Sequence, residues 1–154
     1  MVSIILYSPQ IPPNTGNIMR LCANTGFTLC LIQPLGFKLD DTSLKRAKLD
    51  YSLSKGVKVF ANLKKCILTL GAENFIVLSK FAKQNYNKAP FHKKSVLLFG
   101  SEVDGLPSYI FKDFSNVIYK IPMIEKSRSL NLSNAVSIVA YEAWKSLEFC
   151  GALK

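Results

Sequence analysis

Residues 121–144, IPMIEKSRSLNLSNAVSIVAYEAW, hold the densest set of groups able to grip a polar small molecule. A strand-like end runs into a loop of Ser, Asn, Lys and Arg, and the loop opens onto an apolar helix. Ser127, Ser129, Ser133, Ser137, Asn131 and Asn134 cluster around the helix start. They supply more donors and acceptors than a turn consumes. Arg128 lies in the same loop and is one of only three arginines, with Arg20 and Arg46, in a chain whose other cations are lysines. Where lysine is the default cation, a retained arginine points to a use for its planar fork.

Two further segments carry chemistry. Residues 97–107, LLFGSEVDGLP, read as a buried strand followed by a turn with Gly100 and Gly105. Glycine at a strand end allows close backbone approach to a ligand. Glu102 and Asp104 would repel a pyrophosphate; a carboxylate there suits ribose hydroxyls, an amino group or a cation. A tight turn before a helix accounts for this segment equally. Residues 14–26, NTGNIMRLCANTG, place Asn-Thr-Gly at both ends of a helix with Arg20 near its middle. Ile18, Leu21 and Cys22 form its apolar face, so Arg20 points elsewhere. A capped helix with a solvated arginine is the plain alternative.

Conventional catalytic sets are missing from the sequence. His92 is the sole histidine and reads as a surface residue, so triad chemistry lacks a base. The four cysteines form no C-x-x-C pair, which leaves a metal site unsupported. Cys22 and Cys30 sit in apolar surroundings and read as small core residues. An enzyme built on this chain needs a reaction with little proton transfer by histidine. Methyl transfer from a sulfonium donor fits, because its leaving group is already excellent and alignment does most of the work.

The elements that must position these groups alternate along the chain. Apolar runs at 2–7, 27–33, 57–60, 75–78, 96–99 and 117–121 read as strands. The prolines of 8–14 read as a loop, with Asn14 or Thr15 capping a helix that Gly26 stops. Asp40 to Thr42 offers caps for a short basic helix through Lys48, and Asn62 caps a helix to Leu70. A short helix spans 107–111, and Ser133 or Asn131 caps a last helix to about Phe149. Residues 80–94 form the longest polar interlude, a loop expected at the carboxyl ends of the strands. Such alternation predicts one α/β domain over 1–154, with a mainly parallel sheet and helices on both faces. The last helix is apolar over most of its circumference, through Val136, Ile138, Val139, Ala140, Tyr141, Ala143, Trp144 and Leu147. That breadth calls for burial on more than one side, in the core or at a subunit interface.

Bulk properties bound the partners. A formal net charge of +10 attracts polyanions, of which nucleic acid is the commonest. No apolar run approaches the ~20 residues of a membrane span, and residues 1–16 lack a basic signal-peptide start. Reduced thiols in the cytoplasm are therefore expected.

Taken together, IPPNTGNIMRLCANTGF, LDY at 49–51, LLFGSEVDGLP and IPMIEKSRSLNLSNAVSIVAYEAW resemble the SPOUT superfamily of RNA methyltransferases. Within it they look closest to the TrmL (YibK) family of tRNA (cytidine/uridine-34) 2′-O-methyltransferases. The resemblance spans essentially the whole chain. It implies a C-terminal trefoil knot, which general topology rules would not predict, and a homodimer acting on a tRNA anticodon stem-loop. It implies S-adenosylmethionine as cofactor, held near Leu78, Gly100, Ile121 and Ser129, with Glu102 and Leu130 as neighbours. Arg20 matches the arginine tied to the transfer step and to RNA phosphate. Tyr141 matches a position that would orient the nucleotide or relay its proton. Arg20, Arg46, Arg128 and Asn131 become the RNA-binding set. Two departures stand out: Leu130 replaces a common methionine, and Ser79-Lys80-Phe81 replaces a Thr/Gly-rich turn. A flavodoxin-like nucleotide-binding domain fits less well, because the loop after its first strand would be IPPN, rigid and poor in glycine. Action at another RNA position, or RNA binding without catalysis, remains the alternative function.

Overall fold

The computed structural model describes residues 1–39, 57–71 and 73–153. The basic helix expected over 40–48, the LDY motif and Arg46 lie outside them. Among the described residues seven strands form one sheet: β1 (Ser3–Tyr7), β2 (Thr28–Ile32), β3 (Lys58–Phe60), β4 (Asn74–Leu78), β5 (Gln84–Asn85), β6 (Ser95–Phe99) and β7 (Ile118–Lys120). Their order is β3-β2-β1-β6-β4-β7-β5, and every pairing is parallel. The helices are α1 (Pro12–Thr25), α2 (Leu63–Leu70), α3 (Ser108–Asp113) and α4 (Leu132–Ser146).

The central strands β1, β2, β4 and β6 are continuous apolar runs because both faces of the sheet are covered there. Successive side chains alternate between two cores. Ile4, Leu6, Leu29, Leu31, Ile76, Leu97 and Phe99 meet Ile18, Met19 and Cys22 of α1 and Val136, Val139, Ala140 and Ala143 of α4. Ile5, Cys30, Ile32, Val77, Val96 and Leu98 meet Leu63 and Cys66 of α2 and Ile110 of α3. Each fully buried large aliphatic side chain contributes about 1.5–3 kcal/mol, so this double layer dominates the folding energy.

Four expectations are corrected. Helix α1 starts at Pro12, not at Asn14 or Thr15, and its N-cap is Ile11. Pro12 and Pro13 occupy its first two positions, where a missing N–H removes a donor that would lack a partner anyway. The interlude at 80–94 is not all loop: it carries β5 on the sheet edge and a 3-10 turn at Tyr86–Lys88. The last strand is shorter than 117–121, since Ser115–Val117 is a 3-10 turn. Helix α4 stops at Ser146, and Glu148 and Phe149 turn back with positive φ. That turn brings the carbonyl of Cys150 to the Trp144 indole N–H at 3.1 Å and stacks Phe149 edge-on against Trp144.

All four cysteines are free thiols, and three are buried. Burial, with Cys30 beside it, pushes the Cys22 thiol well above its ordinary range, so it is no nucleophile. Cys150 alone is exposed. A native-state thiol titration with an aromatic disulfide reagent should therefore release one equivalent per chain quickly and the others only on denaturation. Two or more fast thiols would contradict this packing.

Candidate functional site

The carboxyl ends of β4, β6 and β7 open into one cavity of about 530 Å³, within the size range of small-molecule sites. Leu78, Gly100, Glu102, Ile121, Ser129 and Leu130, expected separately around a cofactor, all line it. Asn131 lines it too, whereas Arg20, Arg128 and Tyr141 do not. Arg20 is exposed on α1, six residues and so roughly 9 Å along the axis from Asn14. Tyr141 is exposed on α4, edge-on to Trp144 at 5.7 Å between centroids.

Local sequence explains the cavity's floor. After β6 the chain reverses within Ser101–Gly105, where reciprocal backbone hydrogen bonds of 3.0 and 3.1 Å close the turn. Ser101 Oγ accepts from the Asp104 N–H at 3.0 Å. Gly105 takes φ +69°, and a Cβ on Gly100 would lie 2.3 Å from the Gly105 carbonyl carbon. The close approach that Gly100 permits is thus of the chain to itself. Leu78 and Phe99 end paired strands beside it.

Glu102 has an occupation the sequence reading missed. Its Oε2 accepts from the Gln10 N–H at 2.8 Å; its Oε1 accepts from the Ile11 N–H at 3.2 Å and from Asn14 Nδ2 at 2.9 Å. The carboxylate therefore seals the start of α1, where the prolines leave no donor and the helix dipole favours negative charge. Asn14, only 5% exposed, accepts in turn from Asn131 Nδ2 at 2.9 Å. Asn131 Oδ1 accepts from the N–H groups of Ser133 and Asn134 at 2.9 and 3.3 Å and from Ser133 Oγ at 2.7 Å, capping α4. Every donor in this chain points toward Glu102. One polar relay so joins the three segments singled out in the sequence. Asn14 had read only as a cap, because its partners are 88 and 117 residues away.

The lining suits a cofactor with an apolar ring and a few polar groups. Leu78 and Gly100 at strand ends, Ile121 after β7 and Ser129 of the following loop converge on a cavity walled also by Phe99, Leu106, Phe111 and Leu132. Among the described residues, no group of His, Cys, Asp and Glu could hold a metal ion. No helix there is long and apolar enough to cross a membrane.

A parallel sheet with its cavity at the strand ends, floored by a glycine turn and walled by a Ser/Asn loop, defines a class. Residues 1–141 match the SpoU rRNA Methylase family, and the chain belongs to it. A relative from Saccharophagus degradans, 46% identical over 99% of both chains, is named tRNA (cytidine(34)-2'-O)-methyltransferase. The Escherichia coli K12 relative of the same name is 42% identical over 99% of this chain and 98% of its own. A structure solved in work on 2-OH methylation of C/U34 on tRNA superposes with TM-score 0.87, at 39% identity and 97% coverage of each chain. An AdoMet-bound rRNA methyltransferase from Sinorhizobium meliloti shares the fold, with TM-score 0.82 at 23% identity over 95% of this chain and 56% of that one.

Two substitutions test the architecture. Glu102→Ala should lower stability by roughly 2 kcal/mol in urea unfolding, since it strands Asn14 and two backbone donors. Glu102→Gln, which keeps an acceptor, should lose about half of that. Gly100→Val should abolish cofactor binding in calorimetry, because its branched side chain collides with the turn that floors the cavity.

Proposed function

We propose that this chain transfers a methyl group from S-adenosylmethionine to the ribose 2′-hydroxyl of the wobble nucleotide of tRNA, cytidine or modified uridine at position 34. The observation that carries the reading is the convergence of Leu78, Gly100, Ile121, Ser129 and Leu130 on one cavity, in a chain whose full-length relatives bear that name. When bound there, the cofactor supplies an electrophilic methyl on a sulfonium with a good leaving group.

The protein's share is placement and charge. Strand-end backbone and Ser129 hold the cofactor. Arg20 clamps the phosphate beside the target and stabilises the developing oxyanion; as a permanent cation it is no free base. Tyr141 orients the nucleotide or relays its proton. Arg128 and Asn131 bind RNA beside the cavity, and Arg46 extends that set. The 2′-hydroxyl is a weak acid, so lowering the energy of its anion is the main catalytic demand.

A homodimer belongs to this reading. Arg20 and Tyr141 stand outside the cavity of their own chain, so a second copy has a reason to complete the site. Ile138 and Tyr141 of α4 stay 37% and 46% exposed, an apolar surface suited to a subunit contact. The trefoil knot belongs to it too, supported by the 121–131 segment returning beside the Gly100 turn to reach Asn14. A cytoplasmic location follows from a tRNA substrate.

Labelled-methyl transfer to bulk tRNA, followed by mapping of the modified ribose, tests the assignment. Label on a base or on another nucleotide would refute it. Arg20→Ala should keep cofactor affinity and lose on the order of 10²–10³ in turnover; full turnover would remove Arg20 from the mechanism. Log Kd for tRNA should rise steeply and linearly with log salt, and a flat response would argue against a phosphate-dominated interface.

A further inference from the structure

The turn after β4 presents an aromatic ring at the cavity mouth in a way the core does not require. Phe81 is 78% exposed, yet it lines the same cavity as Gly100 and Ser129. Its placement is built rather than loose. The Ser79 N–H donates to the Tyr119 carbonyl on β7 at 2.9 Å, and Ser79 Oγ accepts from the Phe81 N–H at 3.3 Å. The Ala82 N–H returns to the Ser79 carbonyl at 3.2 Å, and Ala82 is buried. Both ends of the turn are thus pinned, and Lys80 and Phe81 project between them. The Lys80 ammonium sits 5.2 Å from the Phe81 ring centroid, close enough for a cation–π contact.

Single exposed apolar side chains are common and need no explanation. Phe81 differs in its surroundings. From Asn74 to Ser101 the sequence has no Asp or Glu. On the turn itself Lys80 and Lys83 are exposed on either side of the ring, and Lys80 lines the cavity with it. A solvent-facing ring pinned between two exposed lysines, on the rim of a ligand cavity whose carboxylates Glu102 and Asp104 belong to the turn after β6, has the two chemistries that single-stranded nucleic acid needs: a π-face for a base and ammonium groups for phosphates.

We infer that Phe81 is a stacking platform for an unpaired nucleobase of the RNA substrate, with Lys80 holding the adjacent phosphate. The inference rests on the RNA-methyltransferase reading and deepens it by naming the subsite that positions the single-stranded loop at the cavity. Phe81 is a positioning residue: it touches the substrate's base, not the reacting atoms.

The test uses the full-length protein and an unmodified anticodon stem-loop RNA, with Phe81→Ala, Phe81→Leu, Phe81→Trp and Lys80→Gln variants. Their exposure makes them neutral for folding. Phe81→Ala should raise both the RNA Kd and KM by roughly ten-fold or more, as loss of one base–aromatic stack does, with cofactor Kd unchanged in calorimetry. Phe81→Trp should restore binding and Phe81→Leu should not, since leucine offers apolar area without a π-face. Lys80→Gln should reduce the salt slope by about 0.7, one single-strand phosphate contact, while Phe81→Ala leaves that slope alone. Weakened cofactor binding with unaltered RNA affinity would overturn the proposal and give the ring to the cofactor's adenine. So would a changed oligomeric state in sedimentation, which would give it to a second copy of the chain, or no change in any of these quantities. RNA affinity is read without turnover, so methylation at another nucleotide would refute the wobble assignment and leave the Phe81 result standing.

Discussion

The hydrogen-bonded line from Glu102 through Asn14 to Asn131 is the constraint on which the site depends. It is a strongly directional arrangement, since a carboxylate can only accept and each amide along the line is fixed by its neighbours. At one end the carboxylate meets the opening of α1; at the other, an amide oxygen meets the opening of α4. Two helix starts, each positive by virtue of its peptide dipoles, are tied to a single negative group. The glycine turn beneath the cavity, the helix bearing Arg20 and the helix bearing Tyr141 are therefore joined by one hydrogen-bonded line. Low local dielectric strengthens such a chain when complete and makes any missing member costly.

Around that polar line, the apolar framework is simple. Alternate residues of β1, β2, β4 and β6 face α1 and α4 on one side and α2 and α3 on the other. The strands end together, so their last residues form a rim of free backbone where loops can meet. The division of labour is physical: area-driven burial holds the sheet, while a handful of directional bonds sets the loops that hold a ligand.

How much was legible follows from this division. Strands of a two-faced parallel sheet are unbroken apolar runs, and six of them, with the helix pattern between, stood out in the residue order. The six cofactor candidates fell into one cavity because Leu78, Gly100 and Ile121 stand at or just after strand ends, Glu102 lies in the turn that follows β6, and Ser129 and Leu130 lead into the cap of α4. Gln84–Asn85 escaped notice because a two-residue polar edge strand has no periodicity, only a neighbour in β7. The start of α1 was misplaced because Pro12 and Pro13 break helices everywhere except at their first turn. Glu102 was assigned outward, toward a ligand, because nothing local reveals an acceptor's partners far away in the chain. The knot lay beyond periodicity and spacing and entered through the family resemblance alone, whereas a subunit contact was one of two readings left open by the apolar breadth of the last helix.

The reversal after α4 has an optical consequence. Trp144 is the sole tryptophan of the chain. Its indole N–H is held by the Cys150 carbonyl, and its ring lies between Tyr141 and Phe149. It stands nine residues along α4 from Ala135, the last residue of that helix on the cavity, so roughly 13 Å away along the axis. Intrinsic emission from this protein is thus a local spectrometer for the far end of α4 and the tail folded onto it. A change in that signal reports what happens at the outer helix surface, where Tyr141 touches the indole.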